Sequence, residues 1–229
     1  MAERAAYLLA GPTASGKSAI AAELARELGA RILSADSMLV YRGMDVGTAK
    51  PSEAERAEFG MGGVDLVTPA EEFSSGAWLR AAAAWAETVP ESTPIVIVGG
   101  TGLYFSALLR GLARKWEKPA PSYPVIRIDR ETVRARIAAR LNDMFMAGLD
   151  EEKRRLHEAY PVWSRTAALA IGYREGDTRE KILTRTCQLA KRQDTWFRHQ
   201  ATPIYVEPTV ESVRTCWRDC GPWTVRFLV

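Results

Sequence analysis

The N-terminal half of the chain alternates between short continuous apolar runs and segments with helical spacing. Residues 6–10 and 94–98 are largely apolar runs of the length that is typical of buried strands, and residues 31–35 (RILSA) also indicate an extended segment. Residues 19–28 place apolar side chains at positions 20, 24 and 28 with charged side chains on the opposite side, and residues 103–112 also favour a helix. Strands that alternate with helices in this way predict an α/β protein with a parallel sheet.

Two longer helical patterns follow in the C-terminal half. The first begins at Glu131 and is expected to end at Gly148, with apolar residues at positions 133, 137, 141, 145 and 149. The residues expected on its outer face are Arg134, Arg136 and Arg140. The second helix is expected over residues 178–199. Its spacing places four polar side chains on one face: Lys181, Arg185, Gln188 and Arg192.

A phosphate-binding motif lies between the first predicted strand and the first predicted helix. Residues 11–18 read GPTASGKS and fit the pattern G-x-x-x-x-G-K-[ST] at every fixed position. Glycines let the backbone amides turn inward, Lys17 adds a positive charge, and the Ser18 hydroxyl is placed to meet Mg²⁺. The residues expected to bind diphosphate here are Gly11, Thr13, Ala14, Ser15, Gly16, Lys17 and Ser18. The patterns together predict a three-layer P-loop NTPase-like fold with a central parallel sheet and a small helical portion over residues 127–198.

The ends of two predicted strands carry further candidate chemistry. Asp36 follows the strand over residues 31–35, and the strand over residues 94–98 runs into a glycine-rich turn that contains Thr101, where many P-loop enzymes have a metal-binding aspartate. Ligands bind at the carboxyl ends of strands in open α/β sheets. Each feature also has a purely structural interpretation, because Asp36 can cap a helix and the glycines can form a plain turn.

Five segments of the chain, in this order, closely resemble the tRNA dimethylallyltransferase family. They are residues 11–18 (GPTASGKS), 36–51 (DSMLVYRGMDVGTAKP), 98–104 (VGGTGLY), 170–175 (AIGYRE) and 190–198 (AKRQDTWFR). The first segment is shared by many P-loop proteins, whereas the second and the fifth are specific to this family and its relatives.

The resemblance implies transfer of a dimethylallyl group from dimethylallyl diphosphate to N6 of an adenosine beside the tRNA anticodon, with release of diphosphate. Asp36 is then expected to accept the N6 proton, and Thr101 to form a hydrogen bond toward the bridging oxygen. Arg192 is expected to clamp the diphosphate. The residues expected to contact the tRNA anticodon arm are Asp36, Ser37, Met38, Leu39, Arg140 and Arg185.

The chain departs from the family pattern in two places. Family members carry a helical insertion that grips the anticodon arm, and here a short proline-rich connector over residues 114–124 takes its place. The expected organisation is a P-loop core with the catalytic site over residues 1–113, this connector, and a helical portion over residues 125–229 that returns to the core. Leu39 stands where many members have glutamine, which puts one polar contact to the target base in doubt.

Two alternative functions stay open at this point. Isopentenyltransferases that act on AMP, ADP or ATP share the loop and the aspartate without the insertion, and a catalytically inactive RNA-binding relative is a further possibility. From Arg110 to Gln200 the sequence has 20 Lys and Arg against 12 Asp and Glu, which suits a phosphate-bearing partner. With three cysteines and no apolar stretch that could span a membrane, the 229-residue chain is expected to be a cytoplasmic monomer.

Overall fold

The computed structural model describes residues 4–113, 122–174, 176–200 and 203–225, and a single sheet lies at the centre of this part of the chain. Its strands are β1 (Arg4–Ala10), β2 (Arg31–Ala35), β3 (Ile95–Gly99), β4 (Tyr123–Ile126), β5 (Pro203–Val206) and β6 (Trp223–Val225). The order is β2-β3-β1-β4-β5 with all of these strands parallel, and β6 runs antiparallel beside the start of β1.

The register of the three strands on one side of the sheet brings their carboxyl ends together. β1 pairs with β3 from Ala6 opposite Ile95 to Ala10 opposite Gly99. β2 pairs with the other edge of β3 and ends with Ala35 opposite Gly99. The residues that follow Ala10, Ala35 and Gly99 therefore emerge side by side, and these are the phosphate loop, Asp36 and the turn that contains Thr101.

Helices cover both faces of the sheet. Their bounds are α1 (Lys17–Leu28), α2 (Glu53–Glu58), α3 (Ser75–Thr88), α4 (Gly102–Ala113), α5 (Arg130–Met146), α6 (Leu149–Ala159), α7 (Arg179–Arg198) and α8 (Val210–Cys220), with a 3₁₀ turn over Ala167–Leu169. Leu9 faces a core that contains Leu24 of α1 and Trp217 of α8, whereas Leu8 faces the core formed with Trp78 of α3 and Phe197 of α7. This arrangement is the predicted three-layer fold, and it is confirmed.

The two long helices of the C-terminal half occur close to their predicted positions. Thr178 caps α7 with its hydroxyl, which accepts the N–H of Lys181 at 3.4 Å. α5 ends at Met146, and Gly148 has a φ of 93° that breaks the helical path, so Leu149 begins α6 rather than completing α5. The predicted end of the helix at Gly148 is therefore two residues from the observed one, and Leu149 packs in the same core as Leu141.

The predicted connector overlaps a strand of the sheet. Tyr123 and Pro124 form the first half of β4 and pair with Pro203 and Ile204 of β5. Residues 114–121 of the connector lie outside the described residues. Among the residues that the structure describes, no helix combines the length and the apolar character needed to cross a membrane.

Candidate active site

The phosphate loop connects β1 to α1 in a backbone conformation that its glycines permit. Gly16 caps α1 with a φ of 91°, which side chains other than glycine rarely adopt. A Cβ atom at Gly11 would lie 3.0 Å from the Ser15 Oγ atom and 3.2 Å from the Ile126 Cβ atom, so the loop is closely packed against β4. The Lys17 ammonium folds back over the loop and donates to the Pro12 carbonyl at 3.2 Å.

Two arginines of α5 reach the phosphate loop from the helical portion. Arg136 donates to the Ser15 carbonyl at 3.2 Å, and Arg140 donates to the Thr13 hydroxyl at 2.8 Å. The expectation of an outward-facing side chain is wrong for Arg140, which lines the site because α5 packs across the mouth of the loop, whereas Arg136 stays exposed while it contacts the loop backbone. Arg134 is exposed as predicted.

Thr101 forms hydrogen bonds with the backbone of the residues on either side of Asp36. The Thr101 Oγ1 atom accepts the N–H of Ser37 at 2.9 Å, and the Thr101 N–H donates to the Ala35 carbonyl at 3.2 Å. The Asp36 Oδ1 atom accepts the N–H of Met38 at 2.9 Å, which fixes the direction of the carboxylate. The turn must come very close to β2, since a Cβ atom at Gly99 would lie 2.2 Å from the Ala35 carbonyl oxygen.

The charges around the loop interact strongly. Burial of the Lys17 ammonium lowers its pKa to about 8, the negative charge of Asp36 opposes this shift, and the positive charge of Arg140 adds to it. Burial also lowers the pKa of Arg140, again with Asp36 opposing. The site thus holds two desolvated cations and one carboxylate, an electrostatic environment suited to a multiply charged anion.

A cavity of about 790 Å³ opens in front of these groups. Its polar wall contains Thr13, Asp36, Ser37, Thr101, Arg140 and Gln193. Its apolar wall comes from α5, α6, α7 and the segment before α7, and includes Ile137, Leu141, Met144, Leu149, Ile171 and Ile182. A cavity with a charged end and an apolar side suits a ligand that has an anionic group attached to a small hydrocarbon.

The other predicted site residues differ in their relation to this cavity. Met38, Arg185 and Arg192 line it, and Arg185 forms an ion pair with the buried carboxylate of Asp177. Leu39 does not line the cavity; its carbonyl accepts the N–H of Asp65 at 3.1 Å. The remaining loop residues form the backbone cradle beside it: Gly11, Ala14, Ser15, Gly16, Lys17 and Ser18.

The segment after Asp36 is fixed by a buried carboxylate that the sequence did not single out. Glu152 of α6 is only 4% exposed and accepts the N–H groups of Asp45, Val46 and Gly47 at 3.0, 2.8 and 3.1 Å. The Tyr173 hydroxyl donates to the same carboxylate at 2.5 Å. Glu152 therefore ties α6 and the AIGYRE segment to the loop that carries the cavity residues Gly47 and Thr48.

A buried lysine supports the same segment from the other side. The Lys50 ammonium lies 2.6 Å from a carboxylate oxygen of Asp45 and 2.6 Å from one of Asp65, and it donates to the Tyr41 carbonyl at 2.7 Å. Burial lowers the pKa of Lys50, and the hydrogen bond to Asp45 opposes that shift. The side chains of Glu152 and Lys50 thus fix backbone groups near the cavity, and neither side chain lines it.

The sheet is parallel apart from β6, and the phosphate loop, Asp36 and the turn with Thr101 follow three neighbouring strands. This arrangement is typical of a P-loop-like protein that binds an anion at the strand ends. Family comparisons then identify the group within that class. The family model for IPP transferase matches residues 39–124 and 115–200, and the model for isopentenyl transferase matches residues 4–59. The chain belongs to the IPP transferase family, whose members include the tRNA dimethylallyltransferases.

Individual relatives support this assignment. A tRNA dimethylallyltransferase of Bdellovibrio bacteriovorus is 30% identical over 283 residues, which cover 86% of this chain and 91% of the relative. One from Methylococcus capsulatus is 49% identical over 130 residues, covering 56% of this chain and 40% of the relative. The crystal structure of a tRNA isopentenylpyrophosphate transferase from Bacillus halodurans has a TM-score of 0.77 at 23% identity and covers 90% of each chain, which shows the shared fold.

The length of the first alignment bears on the predicted missing insertion. The aligned region of 283 residues is longer than this chain of 229 residues. The relative therefore contains segments that have no counterpart here, in agreement with the expectation of a compact family member.

Proposed function

We propose that this chain transfers a dimethylallyl group from dimethylallyl diphosphate to N6 of the adenosine next to the tRNA anticodon. The observation that carries the proposal is the convergence of the phosphate loop, Asp36 and Thr101 on one cavity with an apolar wall. A diphosphate fits the charged end of that cavity and a five-carbon prenyl group fits its apolar side.

The acceptor side of the reaction depends on Asp36. A bond forms between adenosine N6 and C1 of the dimethylallyl group while the bond from C1 to the diphosphate oxygen breaks. N6 is a weak nucleophile because its lone pair is delocalised into the ring, so it gains from losing a proton as the new bond forms. Asp36 accepts this proton, and its fixed direction toward the cavity makes it the proposed general base.

The leaving-group side depends on the phosphate loop and the cations around it. Negative charge grows on the bridging oxygen as the C–O bond breaks, and the Thr101 hydroxyl is proposed to stabilise that oxygen. The loop amides and Lys17 hold the rest of the diphosphate. Arg140 contacts the loop directly and Arg192 lines the cavity, so we assign both to the diphosphate; for Arg140 this replaces the role at the RNA that the sequence predicts.

Mg²⁺ is proposed to accompany the diphosphate. Ser18 is exposed at the start of α1, so its hydroxyl is available as a ligand. Among the described residues, no cluster of three or more His, Cys, Asp or Glu side chains forms a metal cage. This fits an ion that takes most of its ligands from diphosphate oxygens and water, as Mg²⁺ commonly does. When bound, the ion would neutralise charge on the leaving group.

The tRNA is proposed to approach over the open side of the cavity. Ser37 and Met38 line the cavity next to the proposed base, and Arg185, which is paired with Asp177, also lines it and is proposed to meet an RNA phosphate. The monomeric state stays a prediction. A cytoplasmic location stays a prediction.

A free adenine nucleotide is the second candidate acceptor. The alignment with the Bdellovibrio bacteriovorus relative spans 283 positions, whereas this chain has 229 residues. The chain therefore has fewer residues than that relative with which to hold an anticodon arm. A small acceptor such as AMP needs only the cavity itself.

One experiment separates these functions. The purified protein is incubated with dimethylallyl diphosphate and Mg²⁺, together with either an anticodon stem-loop that contains the target adenosine or AMP, and the nucleosides are analysed by mass spectrometry. We expect the mass of one C₅H₈ group to be added to the stem-loop adenosine, and Lys17→Met to abolish the product. Product from AMP alone would establish the second candidate. Absence of product with both acceptors would refute the proposed activity.

A further inference from the structure

One side chain of α7 connects two parts of the candidate site that are far apart in sequence. The Gln193 Oε1 atom accepts the N–H of Thr13 in the phosphate loop at 2.8 Å. Its Nε2 atom donates to the Gly100 carbonyl at 3.0 Å, in the turn that carries Thr101. A single amide group therefore bridges the diphosphate cradle and the turn.

The turn is built to let α7 approach this closely. A Cβ atom at Gly100 would lie 2.5 Å from the Gln193 Nε2 atom, and a Cβ atom at Gly102 would lie 2.3 Å from the Trp196 ring. Gln193 and Trp196 are three residues apart and so share one face of α7. The glycines on either side of Thr101 are therefore explained by the packing of α7 as well as by the conformation of the turn.

The amide is matched to what it bridges. The Thr13 N–H needs an acceptor and the Gly100 carbonyl needs a donor, and a neutral amide offers both at the end of one side chain. A methionine of similar length would leave both backbone groups without this partner. A glutamate would keep the acceptor for Thr13 and, when ionised, lose the donor for Gly100.

We propose that Gln193 is a positioning residue for prenyl transfer, which fixes the phosphate loop at the correct distance from Thr101. The inference rests on the proposed function. Lys17 and the loop amides hold the diphosphate, whereas the Thr101 hydroxyl must reach the bridging oxygen of the same group, so the rate depends on the relative position of the two parts. A displacement of about 1 Å in such an arrangement can cost about 100-fold in rate.

The test compares Gln193→Met and Gln193→Glu with two controls. In Gln200→Ala the lost amide lies just after the end of α7 and donates to the Trp196 carbonyl at 3.0 Å, so this variant controls for loss of a side-chain amide next to the same helix. In Trp217→Phe a buried indole on the other face of the sheet loses its hydrogen bond to the Leu8 carbonyl, so this variant controls for lost stability. All are assayed below their melting temperatures.

We expect both Gln193 variants to lower kcat by about 10- to 100-fold, while KM for the anticodon stem-loop stays within twofold of the wild-type value. Both controls should keep the wild-type kcat. A folded Gln193→Met protein with kcat within twofold of wild type would overturn the proposal. The proposal would also be overturned if Trp217→Phe had the same melting temperature as Gln193→Met and lost kcat to the same extent. The loss of rate would then follow from lower stability and not from the position of the phosphate loop.

A binding measurement separates this proposal from the proposed function. If the wild-type protein transfers no prenyl group, the proposed function fails, and the affinity for inorganic pyrophosphate then tests Gln193 alone. We expect Gln193→Met to weaken pyrophosphate binding at least fivefold, because Thr13 belongs to the phosphate loop. In that case an affinity equal to wild type would overturn the positioning role.

Discussion

Lys17 should take up a proton when the diphosphate binds at alkaline pH. Burial lowers the pKa of the free side chain to about 8, so above this pH the ligand-free site contains mostly neutral lysine. A bound diphosphate places several negative charges beside the ammonium and raises its pKa again. Binding therefore draws a proton from solution wherever the pH exceeds the pKa of the free enzyme.

The size of the effect follows from that pKa. With a free-state pKa of about 8 and a bound-state pKa above about 10, uptake from Lys17 is near zero at pH 6.5, about 0.5 proton at pH 8 and about 0.9 proton at pH 9. The same linkage decides how the affinity for the diphosphate changes with pH. Lys17 does not affect the affinity well below pH 8, where it is already protonated in the free protein, and the affinity falls as the pH rises above 8. At pH 9 the loss is about tenfold, or about 1.4 kcal/mol.

Calorimetry measures the uptake directly. Dimethylallyl diphosphate is titrated into the protein without acceptor, at pH 7, 8 and 9, in pairs of buffers with different ionisation enthalpies. Lys17→Met serves as the matched control because it keeps an unbranched side chain and lacks the titrating group. Equal proton uptake by the wild type and Lys17→Met at pH 9 would refute the reasoning, and so would an affinity that is constant from pH 7 to pH 9 in the wild type.

Three further outcomes are expected. Thr101→Val should lower kcat by about 100-fold with pyrophosphate affinity nearly unchanged, since its hydroxyl is assigned to charge that develops in the transition state; single-turnover rates check this, and an equal loss of binding would contradict it. Arg140→Gln should raise KM for dimethylallyl diphosphate about tenfold or more, whereas Arg134→Gln on the exposed face of α5 should leave it unchanged. Glu152→Gln should lower the free energy of unfolding in urea by about 2–4 kcal/mol because an amide cannot accept from all four donors, and the exposed neighbour variant Glu151→Gln should change it little.

The parts of the site that the sequence predicts are those set by local rules. The residues of the phosphate loop are contiguous in the sequence, and the spacing of its glycines and lysine predicts its conformation directly. Asp36 and Thr101 lie more than sixty residues apart, yet the rule that parallel strands present their carboxyl ends at one edge places both beside the loop. The register of β1, β2 and β3 then brings the Thr101 hydroxyl to hydrogen-bond distance of the N–H of Ser37, the residue that follows Asp36.

The parts that the sequence does not predict depend on how distant helices pack. Arg140 follows the pattern of a solvent-facing residue on α5, and only the crossing of α5 over the phosphate loop turns it inward. Glu152 stands in the first turn of α6 beside Asp150 and Glu151, where acidic residues are favoured by the helix dipole alone. Its spacing from Leu149 and Leu156, at i+3 and i−4, is the signal in the sequence that places it on the buried face of α6, apart from its exposed neighbours.

The arrangement of charges gives the proposed reaction a direction. Arg140 and Asp36 line the same cavity and Lys17 interacts with both; in the proposed reaction the two cations face the diphosphate and Asp36 faces N6. The carboxylate opposes the pKa shifts of both cations, so the three groups already form an interacting set before any ligand binds. In the proposed reaction Asp36 is neutralised by the N6 proton, so its negative charge would no longer compete for the cations while the diphosphate leaves. The proposed mechanism thus couples general base catalysis to leaving-group stabilisation through the electrostatic contacts among these three groups.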